Sequence, residues 1–100
     1  MSVNTVESQD NSEVVIKVSG RFDFSCQQEF TNSYQAHPPG SKYYVVDLSQ
    51  AEFMDSSAMG MLLQLREYGD KSAGVSLVNG SDSVKDILRI ANFDKLFTIG

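Results

Sequence analysis

The sequence predicts an α/β domain, a small mixed β-sheet with packed α-helices in the order β-β-α-β-α-β-α-β. Three observations support this. Short runs rich in Val, Ile and Tyr alternate with segments whose apolar residues recur every three or four positions. Strand, helix and strand in succession imply right-handed crossovers and parallel neighbours. The first two strand-like runs have no helical segment between them, so they form a hairpin that adds an antiparallel pair.

The elements follow in order. A weak strand lies around Val3 and Val6, and the stretch Gln9–Glu13 turns it into the next. Val14, Val15, Ile16 and Val18 form a β-branched strand ending at Gly20. Ser25, three residues before Gln28, has the spacing of a capping box and opens the first helix. Cys26, Phe30 and Tyr34 form its buried stripe, and His37-Pro38-Pro39-Gly40 stops it. Tyr43–Leu48 is the central strand, apolar enough to be covered on both faces. A second helix runs from Asp55–Ser57 to about Tyr68, with Gly69 and Gly74 after it. Val75, Leu77 and Val78 make another strand. The Ser81-Asp82-Ser83 cluster opens a third helix that buries Val84, Ile87, Leu88 and Ala91 and stops near Asn92. Leu96, Phe97 and Ile99 form a short last strand or packed tail.

Composition narrows the function classes. The chain of 100 residues has a net charge of −5 and is 41% apolar, which suits one domain over residues 1–100 with a buried core. The acidic balance argues against a nucleic-acid partner, which selects for a basic face. Apolar runs of a few residues fall far short of the roughly twenty needed to insert in a membrane. The polar start MSVNTVESQD shows no secretory signal or transit pattern. The single cysteine, Cys26, forms neither an internal disulfide nor a metal cluster by itself, and reads as a semi-buried thiol of a reduced cytoplasmic domain. No cofactor motif is present, and no P-loop.

The stretch AEFMDSSAMG, residues 51–60, carries the most information. Asp55, Ser56 and Ser57 stand where the free N–H groups of a helix start need acceptors, and one of the three is the N-cap. On a helical wheel Ala58, Met61, Leu62, Leu65 and Tyr68 form the core stripe. Met59 and Leu63 fall off it, on the side of Ser56, Gly60 and Glu67. They either make a low, partly apolar docking surface or pack under a neighbouring loop. Gly60 inside a helix costs about 1 kcal/mol relative to alanine, which close approach of another backbone would explain. A phosphate on a serine here would meet free N–H groups and the positive end of the helix dipole. It would also add about two negative charges beside Asp55. The fold would tolerate the change while a docked partner would be repelled.

A nucleophilic role for Ser56 needs a base, and His37 is the one histidine. The strand Tyr43–Leu48 lies between them, putting roughly 20 Å between its ends at about 3.3 Å per residue. No Gly-x-Ser-x-Gly elbow and no paired metal-ligand spacing occur. The expectation is a protein that is not an enzyme.

The segment VVDLSQAEFMDSSAMGMLL resembles the signature of STAS domains, specifically bacterial anti-sigma factor antagonists. Gly20-Arg21-Phe22-Asp23 resembles that family's turn after its second strand, and ANFDKLFTI its closing segment. The resemblance implies that Ser56 is phosphorylated by a partner kinase. It also implies that Asp23, Asp55, Ser57 and Gly60 lie at the partner-binding surface, with Met59 and Leu63 beside them. Ala58 departs from the family pattern, which has glycine there. The implied function is a partner-switching regulator. Unphosphorylated protein would bind a serine kinase/anti-sigma factor through the loop before Ser56, and a metal-dependent serine phosphatase would reset it. The alternative is a non-switching accessory subunit that docks on a membrane transporter's ATPase. Asp55-Ser56-Ser57 favours the switch, because that group tends to carry threonine and alanine there.

Overall fold

Parallel strands cannot be joined by a tight turn, so each crossover takes a helix, and the direction of successive crossovers decides where the helices lie. The computed structural model describes residues 2–7, 12–69 and 74–100. Its strands are β1 (Ser2–Glu7), β2 (Glu13–Phe22), β3 (Tyr43–Met54), β4 (Val75–Val78) and β5 (Thr98–Ile99), and its helices are α1 (Gln27–Gln35), α2 (Ser56–Tyr68) and α3 (Asp82–Ile90). The sheet order is β1-β2-β3-β4-β5. β1 pairs antiparallel with β2, and the other neighbours are parallel. This is the mixed α/β sheet that the sequence predicts. Residues 9–11 of the expected hairpin connection lie outside the described residues.

Every crossover steps the same way across the sheet. Right-handed crossovers that do so stack all their helices on one face. The burial agrees: Ile16, Val46 and Leu77 share a single core cluster with Phe30, Leu62 and Leu88 from the three helices. On the opposite face Val15, Val45 and Val78 are half-buried and Val6 is exposed. The two-sided cover expected for the central strand is therefore not found among the described residues. Ser76, on this open face, is bonded to the Tyr43 hydroxyl.

Two strands run further than their sequence suggests. β2 continues past Gly20 to Phe22, and β3 continues past Leu48 to Met54. Register shifts between Lys17 and Ser19, and between Gly20 and Arg21, each insert one extra residue on the β3 side. Buried residues of β3 therefore step by two at Tyr44, Val46 and Leu48, then by three to Ala51 and Met54. Gly20, next to the second shift, has φ +78, a left-handed conformation that favours glycine. The stretch expected to be a loop before Ser56 is thus strand as far as Met54.

Other local expectations are corrected too. Ser25 does not cap α1 through a capping box. A 3-10 turn at Phe24–Cys26 precedes the helix, and its cap is Asp23, which accepts from Ser25 N. Gln28 instead donates its side-chain amide to Asn32 at 3.1 Å. Cys26 is fully buried, not semi-buried, and donates its Sγ–H to Asp23 O at 3.1 Å. Desolvation pushes its thiol pKa up, so it is a poor nucleophile. Ile87 and Ala91 are only half-buried. Leu96 is 40% exposed and precedes the last strand, while Phe97 and Phe93 stack in the core at 5.2 Å.

An aromatic chain runs beneath the helices. Phe22 meets Phe30 at 5.2 Å, Phe30 meets Tyr34 at 6.0 Å, and Tyr34 meets Tyr44 at 6.2 Å. Tyr44 is 1% exposed and donates its hydroxyl to Tyr34 O at 3.2 Å. Desolvation first, then the neighbouring tyrosines and Glu7, pushes its pKa up to about 12. A phenol whose pKa is raised on folding stabilises the fold below the unfolded value of about 10, and that stability is lost as pH rises toward the folded value. Alkaline unfolding should therefore fall between about pH 10 and pH 12, and Tyr44→Phe should move its onset upward. Far-UV circular dichroism during a base titration measures this, and an onset unaltered by Tyr44→Phe would contradict it.

Candidate functional site: two helix caps at one end of the sheet

β2 and β3 end side by side, with Phe22 in register with Met54. One residue on, each strand presents an aspartate. Asp55 caps α2, its Oδ1 accepting from Ser57 N at 3.0 Å, Ala58 N at 3.1 Å and Ser57 Oγ at 2.6 Å. The N-cap left open among three residues by the sequence is thus Asp55. Asp23 repeats the arrangement, its Oδ1 accepting from Ser25 N at 3.0 Å and Ser25 Oγ at 2.5 Å. The pKa of Asp55 is lowered chiefly by the Ser57 hydroxyl, against the nearby negative charge of Asp23. That of Asp23 is lowered chiefly by the Ser25 hydroxyl, with a smaller contribution from Arg21. Both carboxylates stay ionised at neutral pH, and they face the same end of the molecule.

The caps separate the two serines of α2. Ser57 is half-buried and its hydroxyl is committed to Asp55. Ser56 is exposed at the first position of the helix, and among the described residues its hydroxyl has no hydrogen-bond partner. The positive end of the helix dipole lies beside it, although the N–H groups of Ser57, Ala58 and Met59, which the sequence left open to a phosphate, are already bonded to Asp55.

Down the same side of α2, Leu63 is 38% exposed, while Met59 is half-buried and packs on the core. Of the two alternatives for this pair, Leu63 fits the open surface and Met59 contributes only its edge. A Cβ built on Gly60 meets nothing within 4 Å, so no other part of the described chain approaches it closely. Replacing an exposed helical glycine with alanine gains helix propensity without a clash. Gly60→Ala should therefore raise the unfolding free energy by about 0.5–1 kcal/mol in urea melts, and a loss of stability would show an unseen constraint.

Sequence reasoning missed three residues here. Phe24 is 68% exposed between Asp23 and Ser25, and Phe53 is 38% exposed at the end of β3. Arg21 places its guanidinium 4.2 Å from the centre of the Phe53 ring and donates Nε–H to Asp23 Oδ2 at 3.3 Å. The signal that locates Phe24 was present: Asp23-Phe24-Ser25 and Asp55-Ser56-Ser57 are the same Asp-x-Ser cap.

His37 lies at the other end of α2, where its carbonyl accepts from the Tyr68 hydroxyl and its Nε2 is 3.4 Å from Glu7 Oε1. A helix of 13 residues at 1.5 Å per residue spans roughly 20 Å, so His37 cannot serve Ser56 as a base. No group of three or more His, Cys, Asp or Glu among the described residues could hold a metal ion. No helix among them is long and apolar enough to cross a membrane.

The same chain architecture recurs in known proteins. A solved anti-sigma factor antagonist from Mycobacterium paratuberculosis superposes with a TM-score of 0.75 over 98% of this chain and 85% of its own, at 24% identity. The Bacillus cell fate determinant SpoIIAA in its phosphorylated form superposes with a TM-score of 0.64 over 99% of this chain and 91% of its own, at 20% identity. At those identities the likeness is one of fold. A STAS-domain containing protein of Pseudomonas aeruginosa (strain UCBPP-PA14) is 44% identical over 100 residues, covering 99% of each chain. A family model described as Mlab, STAS domain matches residues 5–98. With that match running from within β1 to the start of β5, across the three helices and both caps, the chain belongs to the STAS domain family.

Proposed function

We propose that this chain is a non-enzymatic partner-switching regulator of the anti-sigma factor antagonist type, controlled by reversible phosphorylation of Ser56. The observation that carries this is the contrast between the two serines: Ser57 is held by the Asp55 cap, and Ser56 stands exposed with its hydroxyl unengaged. In the forward step Ser56 Oγ attacks the γ-phosphorus of ATP held by a partner kinase. The new O–P bond forms as the bond to the β,γ-bridging oxygen breaks, ADP leaves, and the hydroxyl proton passes to a base of the kinase. Hydrolysis by a serine phosphatase breaks the O–P bond with water, restores the hydroxyl and releases inorganic phosphate.

Both states keep the fold, because the phosphate sits at the positive end of α2. Recognition changes, because about two negative charges arrive next to Asp55 and Asp23. Asp23, Asp55, Ser57, Met59, Gly60 and Leu63 form the partner surface, and the unphosphorylated form binds a serine kinase/anti-sigma factor in the cytoplasm. The structures of the Mycobacterium antagonist and of phosphorylated SpoIIAA support this by analogy of fold.

Intact-mass measurement after incubation with ATP and the cognate serine kinase is the test. One added phosphate, lost in Ser56→Ala and retained in Ser57→Ala, is the expected result. A chain that stays unmodified and co-purifies with a transporter ATPase would overturn the proposal in favour of a constitutive accessory subunit.

A further inference from the structure

We infer that Phe24 is the apolar anchor of the partner surface, and that the partner kinase receives it in an apolar pocket; this rests on Ser56 being the switch. The two Asp-x-Ser caps are equivalent by register, since each begins one residue after the paired positions Phe22 and Met54. In each cap the aspartate and the serine two residues on are tied together, and the middle residue projects outward. The middle residue is Ser56 in one cap and Phe24 in the other. Neighbouring strands lie about 4.8 Å apart, so the two middle residues are carried by adjacent strand ends.

Phe24 is the most exposed aromatic of the described residues at 68%, although Phe22 and Cys26 on either side of its turn are completely buried. Its exposure is therefore not the looseness of an unpacked segment. Phe53, 38% exposed, is tied through Arg21 to Asp23, and Leu63, also 38% exposed, lies two turns along α2 from Ser56. The charge around it has one sign to offer. Asp23 and Asp55 are ionised, and Arg21, the cation at this end, is already engaged by Asp23 and the Phe53 ring. That charge disfavours a nucleic acid or an anionic lipid surface and leaves a protein pocket as the occupant. Interfaces concentrate their binding energy in a few anchors, aromatics among them, that fill desolvated pockets on the partner. Placing the phosphoryl acceptor next to the anchor explains how one modification reaches the whole contact.

The kinase of the intact-mass assay is the probe. Phe24→Ala should weaken its binding by about thirtyfold or more in calorimetry, the factor that separates hot spots from the rest of an interface. Phe24→Leu should recover part of the loss. The thermal midpoint of both variants should stay close to wild type, since the ring is mostly in solvent. At saturating concentration phosphate should still enter only at Ser56. If Phe24→Ala binds as wild type while the kinase still modifies Ser56, the anchor is overturned and the switch survives. A wild-type chain that the kinase neither binds nor modifies overturns both.

Discussion

Phe30→Ala is expected to lower the unfolding free energy by about 3–5 kcal/mol, the cost of truncating a fully buried phenyl ring. Phe30 is completely buried, and it links Phe22 at 5.2 Å to Tyr34 at 6.0 Å. Its loss leaves a cavity in a layer where β2, α1 and β3 meet, and the rigid sheet beneath can collapse only partly. A domain of this size has roughly 5–15 kcal/mol in all, so the variant would be marginal at physiological temperature. In urea the midpoint should fall by about 2 M or more with the slope unchanged. The effect reaches the caps as well. Phe22 immediately precedes Asp23, and Cys26 is bonded back to Asp23 O, so the turn presenting Phe24 rests on the Phe22–Phe30 contact. Partner binding by Phe30→Ala should therefore weaken even at temperatures where it remains folded. A shift below about 1 kcal/mol would mean that α1 closes over the gap, and that the turn does not depend on this ring.

How much of this was legible in the sequence depended on periodicity. The helices were, because Phe30 and Tyr34, or Met61, Leu62 and Leu65, repeat at helical spacing and are buried as that spacing requires. The first halves of β2 and β3 were too, where Val14, Ile16 and Val18 alternate. The second halves were not. Each extra residue on β3 breaks the alternation, so QAEFM looks like a polar loop although Ala51 and Met54 are buried. The one-sided cover of the sheet was also hidden. Val15 and Val45 are as apolar as residues of a face packed by helices, and only the common direction of the crossovers leaves them half-buried. At the site, Asp55, Ser56 and Ser57 could be located, but three adjacent polar residues do not say which one caps. That needs the backbone: only Asp55 has the extended φ of −126 that turns its carboxylate onto the first N–H groups. Phe24 was passed over because an aromatic beside a helix start reads as core, and its exposure is a property of the preceding turn.

Ser56→Asp should abolish partner binding while leaving the fold as stable as before or slightly more so, and this opposition of signs is the most discriminating outcome for the switch. A carboxylate at the first position of α2 meets the positive end of the helix dipole and stabilises by about 0.3–1 kcal/mol. The nearby Asp23 and Asp55 charges offset part of that gain. The partner experiences the same charge differently. In a closed interface water is excluded, screening weakens, and juxtaposed like charges or an uncompensated carboxylate cost several kcal/mol. A loss of about a hundredfold or more is expected, and Ser56→Ala should bind as the unmodified chain does. Calorimetry with the kinase, paired with a thermal melt of each variant, reads both quantities on the same samples. A substitution that merely damaged the helix start would lower them together. If Ser56→Asp melts several degrees below wild type, the Ser56 side chain has a structural role that its exposure conceals. If it melts normally and binds normally, a charge at this position does not govern recognition, and the contact between partner and chain must lie elsewhere than the end of the sheet where the two caps meet.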